Sequence, residues 1–505
     1  MNIQAEMKTG FIILFLLPLA LFAQLEVADI FSSHMVLQRD EPVPVWGKGK
    51  PGQRIEVRFG TSTRATTVSR TAEWIVWLPA MTASGEPREL TISSGDTAIR
   101  FTNILTGDVW LCIGQSNMEW PMRREMHYTD AVKYSHQPTL RFYNPVYAGK
   151  NIFGTAFTDS VCRFLNNQHF YQGTWQICDS TTNGNMSAVA WYFGRSLTDH
   201  VQLPVGLMNL SIGGAPLETF IDQQTLLKDQ TFNIKMHGDW LQNPALPVWA
   251  KERGDQNVGT STIVAADKYG KNHAFKPGFA YAAGIMKILP LPIKGILLYQ
   301  GESNAQEKER VAEYGKLVTL LITDYRKKWS KPSLPIYYVQ LSSIDSTNYK
   351  SQLWPWFRDE QRRLLQQLPY SGMAVCSDIG SKNDVHPTNK KDVGERLARW
   401  ALNKTYGLDF IPSGPLPRKV QVEKEKLIIS FDYAGKHLLT TDGQVLRGFS
   451  LDGKTECPAY IENNRVVIPV DSIPPYVYYG WKPYSDGNLI NMEGLPASTF
   501  KIKVQ

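Results

Sequence analysis

Alternation between apolar strand-like runs and amphipathic stretches constrains this chain more than any other feature. From residue 106 onward, apolar runs at 109–113, 205–210, 293–299, 336–340 and 373–376 are separated by helix patterns at 188–200, 307–329 and 356–367. That order predicts an α/β domain over residues 106–411, a parallel sheet flanked by helices. On either side the pattern changes. Residues 24–105 hold short strand patterns, among them 55–59, 73–78 and 89–92, whose spacing predicts an N-terminal β-sandwich-like module. A Pro-rich linker at 412–417 opens a C-terminal β module over residues 412–505, with turns at Asp442-Gly443, Asp452-Gly453 and Asp486-Gly487. Inside the α/β domain, residues 222–277 are polar, aromatic and irregular, and are expected to form an insertion or lid.

A chain of 505 residues exceeds one ordinary core, in keeping with several domains. The net charge of +7 is spread along the chain without a Lys/Arg block, so no nucleic-acid partner is expected. The 14 Trp, 22 Tyr and 21 Phe suit a protein that stacks sugars, and equally a large core. Residues 1–23 carry Lys8, an apolar run at 11–22 and Ala23, which reads as a signal peptide too short to span a membrane. No Cys follows it to take a lipid. The mature protein is therefore expected to be periplasmic or secreted, with no membrane association after cleavage. Five cysteines cannot all pair within one chain. Cys162 and Cys178 can bridge in an oxidising compartment, whereas Cys112 and Cys376 lie in apolar runs and read as buried thiols. No Cys/His spacing suggests zinc, and neither metal nor cofactor is expected.

Four short segments fall at the carboxyl ends of predicted strands: Gly114-Gln-Ser116-Asn-Met, Asn209-Leu-Ser-Ile-Gly213-Gly214, Tyr299-Gln-Gly301-Glu302-Ser303-Asn304 and Asn383-Asp384-Val385-His386-Pro387. In a parallel sheet such ends converge on one edge. Together they supply what acyl transfer from an ester needs. Ser116 is a nucleophile, His386 a base that takes its proton, and Asp384 an acid that orients the ring. Backbone N–H groups of Ser116 and of Gly213 or Gly214, with the Asn304 amide, form an oxyanion hole. Gln115, Gln300 and Glu302 are expected to support these groups.

Taken singly, each piece has a plain structural explanation. Ser116 can cap a helix, the glycine pair can turn a chain, His386 can sit on a surface loop, and Asn304 can cap the helix pattern near Glu307. Glu119 and Glu302 also offer the two carboxylates of a glycosidase. The joint occurrence, in this order and each at a strand end, is far more specific than any member.

These blocks resemble the successive motifs of the SGNH hydrolases, and most closely the bacterial sialate O-acetylesterases. The resemblance extends to Phe31-Ser-Ser-His-Met-Val-Leu-Gln-Arg-Asp and Asn491-Met-Glu-Gly-Leu-Pro-Ala-Ser-Thr-Phe500, so it covers nearly the whole mature chain. It implies a flavodoxin-like parallel sheet, with Ser116, a glycine of the 213–214 pair, Asn304 and His386 in the four roles above. It also implies hydrolysis of O-acetyl groups from sugars without a cofactor. The wider SGNH pattern has its acid three residues before the histidine, where Asn383 stands. Asp384, two residues before His386, projects to the same side of an extended chain; Asp378 and a Ser–His dyad leaning on a backbone carbonyl are the alternatives. Ile212 and Leu298 stand where the branch commonly has Trp, and Phe279-Ala-Tyr-Ala-Ala-Gly284 is a weak match to its usual helix start. The Gly-x-Ser-x-Gly elbow of the α/β-hydrolases is absent, because Met118 holds its last position.

The expected function is an exported carbohydrate O-acetylesterase acting on O-acetylated sialic acids, with acetylated xylan or another glycan as the alternative substrate. A sialic acid carboxylate needs a cation, for which Arg123, Arg124, Arg358 and Lys382 are candidates. The non-enzymatic alternative is an inactive glycan-binding protein. Oligomeric state is left open by the sequence.

Overall fold

The computed structural model describes residues 25–505; the expected signal peptide at 1–23 lies outside the described residues. One strand organises the rest. Thr97–Gly114 alternates between exposed and half-buried positions at first and is buried throughout from Ile104 on. Its first half runs antiparallel to Ser84–Ser94, and its middle pairs with Val36–Gln38. Its second half runs parallel to Val205–Asn209 on one side and Gly295–Tyr299 on the other. The strand crosses residues 105 and 106, where the sequence changes character, without a break. Val36–Gln38, Arg54–Phe59, Ser62–Thr67 and Ser84–Ser94 thus share one sheet of 11 strands with the α/β domain, while Glu26–Val27, Val43–Lys48 and Glu73–Leu78 form a separate three-stranded sheet.

Beyond Gly295–Tyr299 lie Ile336–Val339 and then Ser371–Ala374, all parallel. Counting these core strands in chain order from Thr97–Gly114, they stand 2-1-3-4-5, the flavodoxin-like order that the motif resemblance implies. Gln137–Tyr143 extends the sheet outside Val205–Asn209, and Trp175–Cys178 closes that edge antiparallel, so the sheet is mixed. The chain leaves its first core strand to one side and later to the other, which opens a crevice at the carboxyl ends of Thr97–Gly114, Val205–Asn209 and Gly295–Tyr299.

Every residue of Val205–Asn209, Gly295–Tyr299 and Ile336–Val339 is buried, as a sheet covered on both faces requires. Helix Ala188–Val201 packs against Lys391–Trp400, and Lys308–Lys328 against Trp354–Gln367. Ala188–Val201 starts where Ser187 Oγ accepts the Ala190 N–H at 3.1 Å and ends at Gln202 in the left-handed region. In Lys308–Lys328 the residues Leu317, Val318, Leu321, Ile322 and Tyr325 recur at helical spacing and form its buried stripe.

The alternating Arg54–Phe59 and Glu73–Leu78 strands put Ile55, Val57, Phe59, Trp74, Val76 and Leu78 inside. The C-terminal residues form a four-stranded sheet with Leu416–Glu423 at one edge, a three-stranded sheet around Tyr476–Tyr479, and a pair of short strands. They have a core of their own, including Val420, Ile429, Phe449, Val466 and Phe500. Arg358 on helix Trp354–Gln367 joins this module to the α/β domain. Its guanidinium, fully buried, donates to the carbonyls of Gly480, Lys482 and Pro483.

Residues 222–277 hold the helices Gln223–Lys228 and Val248–Val258 and a short hairpin, Ala266–Asp267 with Gly270–Lys271. His273 is buried and stacked between Phe157 and Trp240, each ring centroid 5.7 Å away, and burial pushes its imidazole down to about 3. The Cys162–Cys178 bridge is not formed. All five cysteines are free thiols: Cys162 Sγ points to Phe157 O, whereas Cys178 Sγ is held between Ser135 O and Trp191 Nε1.

Candidate active site

Three strand ends are laced together at the crevice. The Gln115 N–H donates to Tyr299 O at 3.0 Å, and the Ile212 N–H donates to Gly114 O at 3.0 Å. Gly114 itself sits at φ +143°, and a Cβ there would lie 2.0 Å from Tyr299 O, so only glycine lets the two strands approach this closely. Ser116 follows, opening the short helix Ser116–Glu119. Its Oγ lies 2.8 Å from His386 Nε2, although 270 residues separate the two. The other ring nitrogen, Nδ1, is 3.4 Å from Asp384 Oδ1, which also accepts the His386 backbone N–H at 2.9 Å. Asp384 is well exposed to solvent, so its pull on the ring is screened. Asp378, the alternative acid, is held bidentately by Arg396, both contacts at 2.7 Å.

Trp120 covers the face of His386, ring centroids 5.4 Å apart and 21° from parallel, and Arg124 lies over Trp120 at 4.1 Å. Burial holds the His386 imidazole below its ordinary value. Asp384 opposes that shift, while Lys390 and Arg124 add to it.

The expected supporting residues form one hydrogen-bonded turn. Gln115 Oε1 accepts from Gln300 Nε2 and from the N–H groups of Gly301 and Ser303. Gln300 Nε2 also donates to Asn304 Oδ1 at 2.7 Å. Glu302 accepts from Asn117 Nδ2, and burial pushes its carboxyl up to about 7. Asn304 does not present its amide to the crevice. It is fully buried, its Nδ2 donates to Glu218 Oε2, and its Oδ1 also accepts the Leu217 N–H. One of its two Nδ2 hydrogens is thus held by Glu218, a carboxylate beside it, and its oxygen braces the turn. The Gly213 N–H is likewise taken, by Tyr147 Oη at 3.0 Å. Among the described residues the N–H groups of Ser116 and Gly214 have no acceptor.

Helix Val248–Val258 forms a wall beside the glycine pair. Trp249 Nε1 donates to Gly214 O at 3.3 Å. Arg253 lies 4.5 Å over Trp249 and 5.7 Å from Phe153, and its Nε and Nη1 are buried with no acceptor among the described residues. Of the four cations expected to meet a carboxylate, Arg358 is committed to the C-terminal module, Arg123 donates to Asn185, Arg124 lies against Trp120, and Lys382 is an exposed surface residue. Sequence reasoning passed over Asn117, Trp120, Arg253 and Lys390. Asn117 lies inside the first motif block and Lys390 three residues beyond the fourth, whereas Arg253 falls in a stretch without periodicity.

Comparison with known proteins gives a consistent picture. The family described as carbohydrate esterase, sialic acid-specific acetylesterase, matches residues 259–403. Human sialate O-acetylesterase is 27% identical over 466 residues, covering 84% of this chain and 80% of the human protein. The mouse sialate O-acetylesterase is 26% identical over 442 residues, 80% of this chain and 78% of its own. The crystal structure of a carbohydrate acetylesterase from Xanthomonas citri superposes with a TM-score of 0.77 at 28% identity, covering 95% of this chain and 100% of that one.

Proposed function

We propose that this carboxylic ester hydrolase of the sialate O-acetylesterase-like branch is an exported enzyme that removes O-acetyl groups from acidic sugars of the sialic acid type, using Ser116 and His386. The observation that carries the reading is the 2.8 Å contact between Ser116 Oγ and His386 Nε2 at the mouth of the sheet crevice. Ser116 Oγ attacks the acetyl carbonyl while His386 Nε2 takes its proton. The Ser116 and Gly214 N–H groups face the developing oxyanion. Collapse releases the sugar hydroxyl, which leaves with the proton from His386. Water, deprotonated by His386, then hydrolyses the acetyl-Ser116 ester to acetate and free serine. The apolar leader at 1–23 supports export.

An organophosphonate tests the chemistry directly. Intact mass should rise by one adduct, mapped to Ser116, in the wild type and not in Ser116→Ala. An unlabelled wild type favours the inactive glycan-binding reading.

The pH dependence follows from the site. Neutral imidazole is the base, so turnover falls as pH drops through the folded-state pKa of His386. Because that pKa is depressed, activity should persist below the ordinary histidine value of about 6.5. Asp384→Asn removes the group that opposes the depression and should move the acid limb of kcat/KM lower still. A limb that stays in place would leave Asp384 outside the site's electrostatics.

Arg253 supports the acidic sugar. A guanidinium held between two aromatic rings beside the acyl site, with no carboxylate of its own, suits a substrate carboxylate. Arg253→Gln should raise KM for O-acetylated sialic acid by about tenfold or more, the loss of one charge-assisted hydrogen bond. KM for a neutral aryl acetate should not change. Equal effects on both substrates would favour a neutral glycan such as acetylated xylan.

A further inference from the structure

Beneath the Ser116–His386 contact lies a buried charged unit that the acyl transfer itself does not use. Lys390 is fully buried; its Nζ donates to Asn117 Oδ1 at 2.5 Å and lies 5.5 Å and 5.7 Å from the ring centroids of Trp120 and Tyr299. The other end of the same amide, Asn117 Nδ2, donates to Glu302 Oε1 and to Val385 O, the latter at 3.0 Å. Glu302 is buried, and its Oε2 has no partner among the described residues. A cation and a carboxylate are therefore bridged by one amide. The Lys390 ammonium has only donors, so the Asn117 oxygen must face the lysine and its nitrogen the glutamate. That orientation aims the remaining N–H at Val385 O.

Asn117 directly follows the nucleophile, and Val385 directly precedes the base. Their hydrogen bond ties together the two segments that carry Ser116 and His386. Trp120, which Lys390 contacts, is the ring stacked on His386. We infer that Lys390 is a positioning residue for the acyl transfer: through Asn117 it sets the hydrogen bond that holds His386 against Ser116, and its ammonium places a positive charge near the imidazole. The inference rests on the Ser116–His386 reading above.

The charges facing His386 come from three elements. Asp384 on its own loop favours the protonated ring; Lys390 at the start of the following helix and Arg124 beyond Trp120 disfavour it. Burial pushes Lys390 down to about 7, opposed by Glu302, Cys376, Asp384 and Glu125, so it is charged over the acid range in which His386 titrates. Removing the lysine charge should therefore make the ring easier to protonate.

The test compares Lys390→Met, similar in length and uncharged, with Asn117→Ala, which removes the bridge and leaves both charges. Thermal melts establish that each is folded. For Lys390→Met, kcat on an aryl acetate should fall by about ten- to a hundredfold, the cost of a small misplacement of base and nucleophile, with KM within about twofold. Its acid limb should move to higher pH by about half a unit. For Asn117→Ala, kcat should fall similarly while the limb stays in place. An unmoved limb in folded Lys390→Met, or wild-type kcat in Asn117→Ala, overturns the inference. Should Lys390→Met not fold, the kcat of Asn117→Ala decides alone. Phosphonate labelling of the wild type separates the two failures: an unlabelled Ser116 refutes the acyl-transfer reading, whereas a labelled wild type with indifferent variants refutes the role of Lys390.

Discussion

Replacing either Ser116 or His386 with alanine is expected to lower kcat on an acetyl ester by about 10⁴- to 10⁶-fold, and replacing both is expected to cost little more. In the proposed mechanism nucleophile and base are one unit. Without His386 the serine hydroxyl has no acceptor for its proton, and without Ser116 the imidazole has nothing to activate. The remaining rate in each variant comes from the Ser116 and Gly214 N–H groups and from substrate binding, which the replacements leave in place. The folds should survive. Both side chains are only partly buried, at the end of a strand and on a loop, and neither fills the core. Rates on an aryl acetate, with melting curves of the three variants, check this. Fully additive losses would mean that the two residues act separately.

The second large effect concerns stability. Arg358→Met should destabilise the protein by about 3–5 kcal/mol. Arg358 lies in the interior of helix Trp354–Gln367, yet its guanidinium binds Ser343 Oγ at 3.0 Å and three backbone carbonyls of the C-terminal module. Methionine would fill much of the space and donate to none of these acceptors; Pro483 O keeps the Ile344 N–H and Gly480 O the more distant Thr499 hydroxyl, whereas Lys482 O would stay buried without a donor. Nearby bonds from Gln340 Nε2 to Thr499 O and from the Lys501 N–H to Asp359 Oδ1 belong to the same seam and would weaken with it. Denaturant unfolding should show a lower midpoint, with cleavage at 406–416 in limited proteolysis appearing first. A change within about 0.5 kcal/mol would mean that the module docks without this residue.

Parts of this arrangement are legible in the sequence because they follow from local rules. The predominantly apolar runs at 205–210, 293–299 and 336–340 read as strands covered on both faces, and they belong to the centre of the sheet. Ser116, Asp384 and His386 were marked by position at strand ends and by motif, and the fold brings them to within hydrogen-bonding or ion-pair distance. Other parts depend on contacts that no local pattern encodes. The strand Thr97–Gly114 changes partners halfway along, so a shift in sequence character at residue 106 does not mark a break in the backbone. Asn304 has the right residue type for an oxyanion donor, but no local pattern shows that Glu218, 86 positions away in sequence, holds one of its two amide hydrogens. Arg358 reads as a candidate partner for a substrate carboxylate, and is instead a buried clasp because the C-terminal module covers it. Arg253 is noticeable only because the fold leaves it without a carboxylate. Cys162 and Cys178 stay free thiols because the fold turns their sulfurs to different partners, Phe157 O and Ser261 Oγ for one, Ser135 O and Trp191 Nε1 for the other.

The most direct test of the central claim is acetate release from O-acetylated sialic acid, acetylated xylan and an acetylated aryl ester, with wild type and Ser116→Ala run side by side. The account predicts acetate from the wild type alone, released fastest from the sialic acid. Acetate from Ser116→Ala at the wild-type rate, or none from the wild type on any of the three, would contradict it.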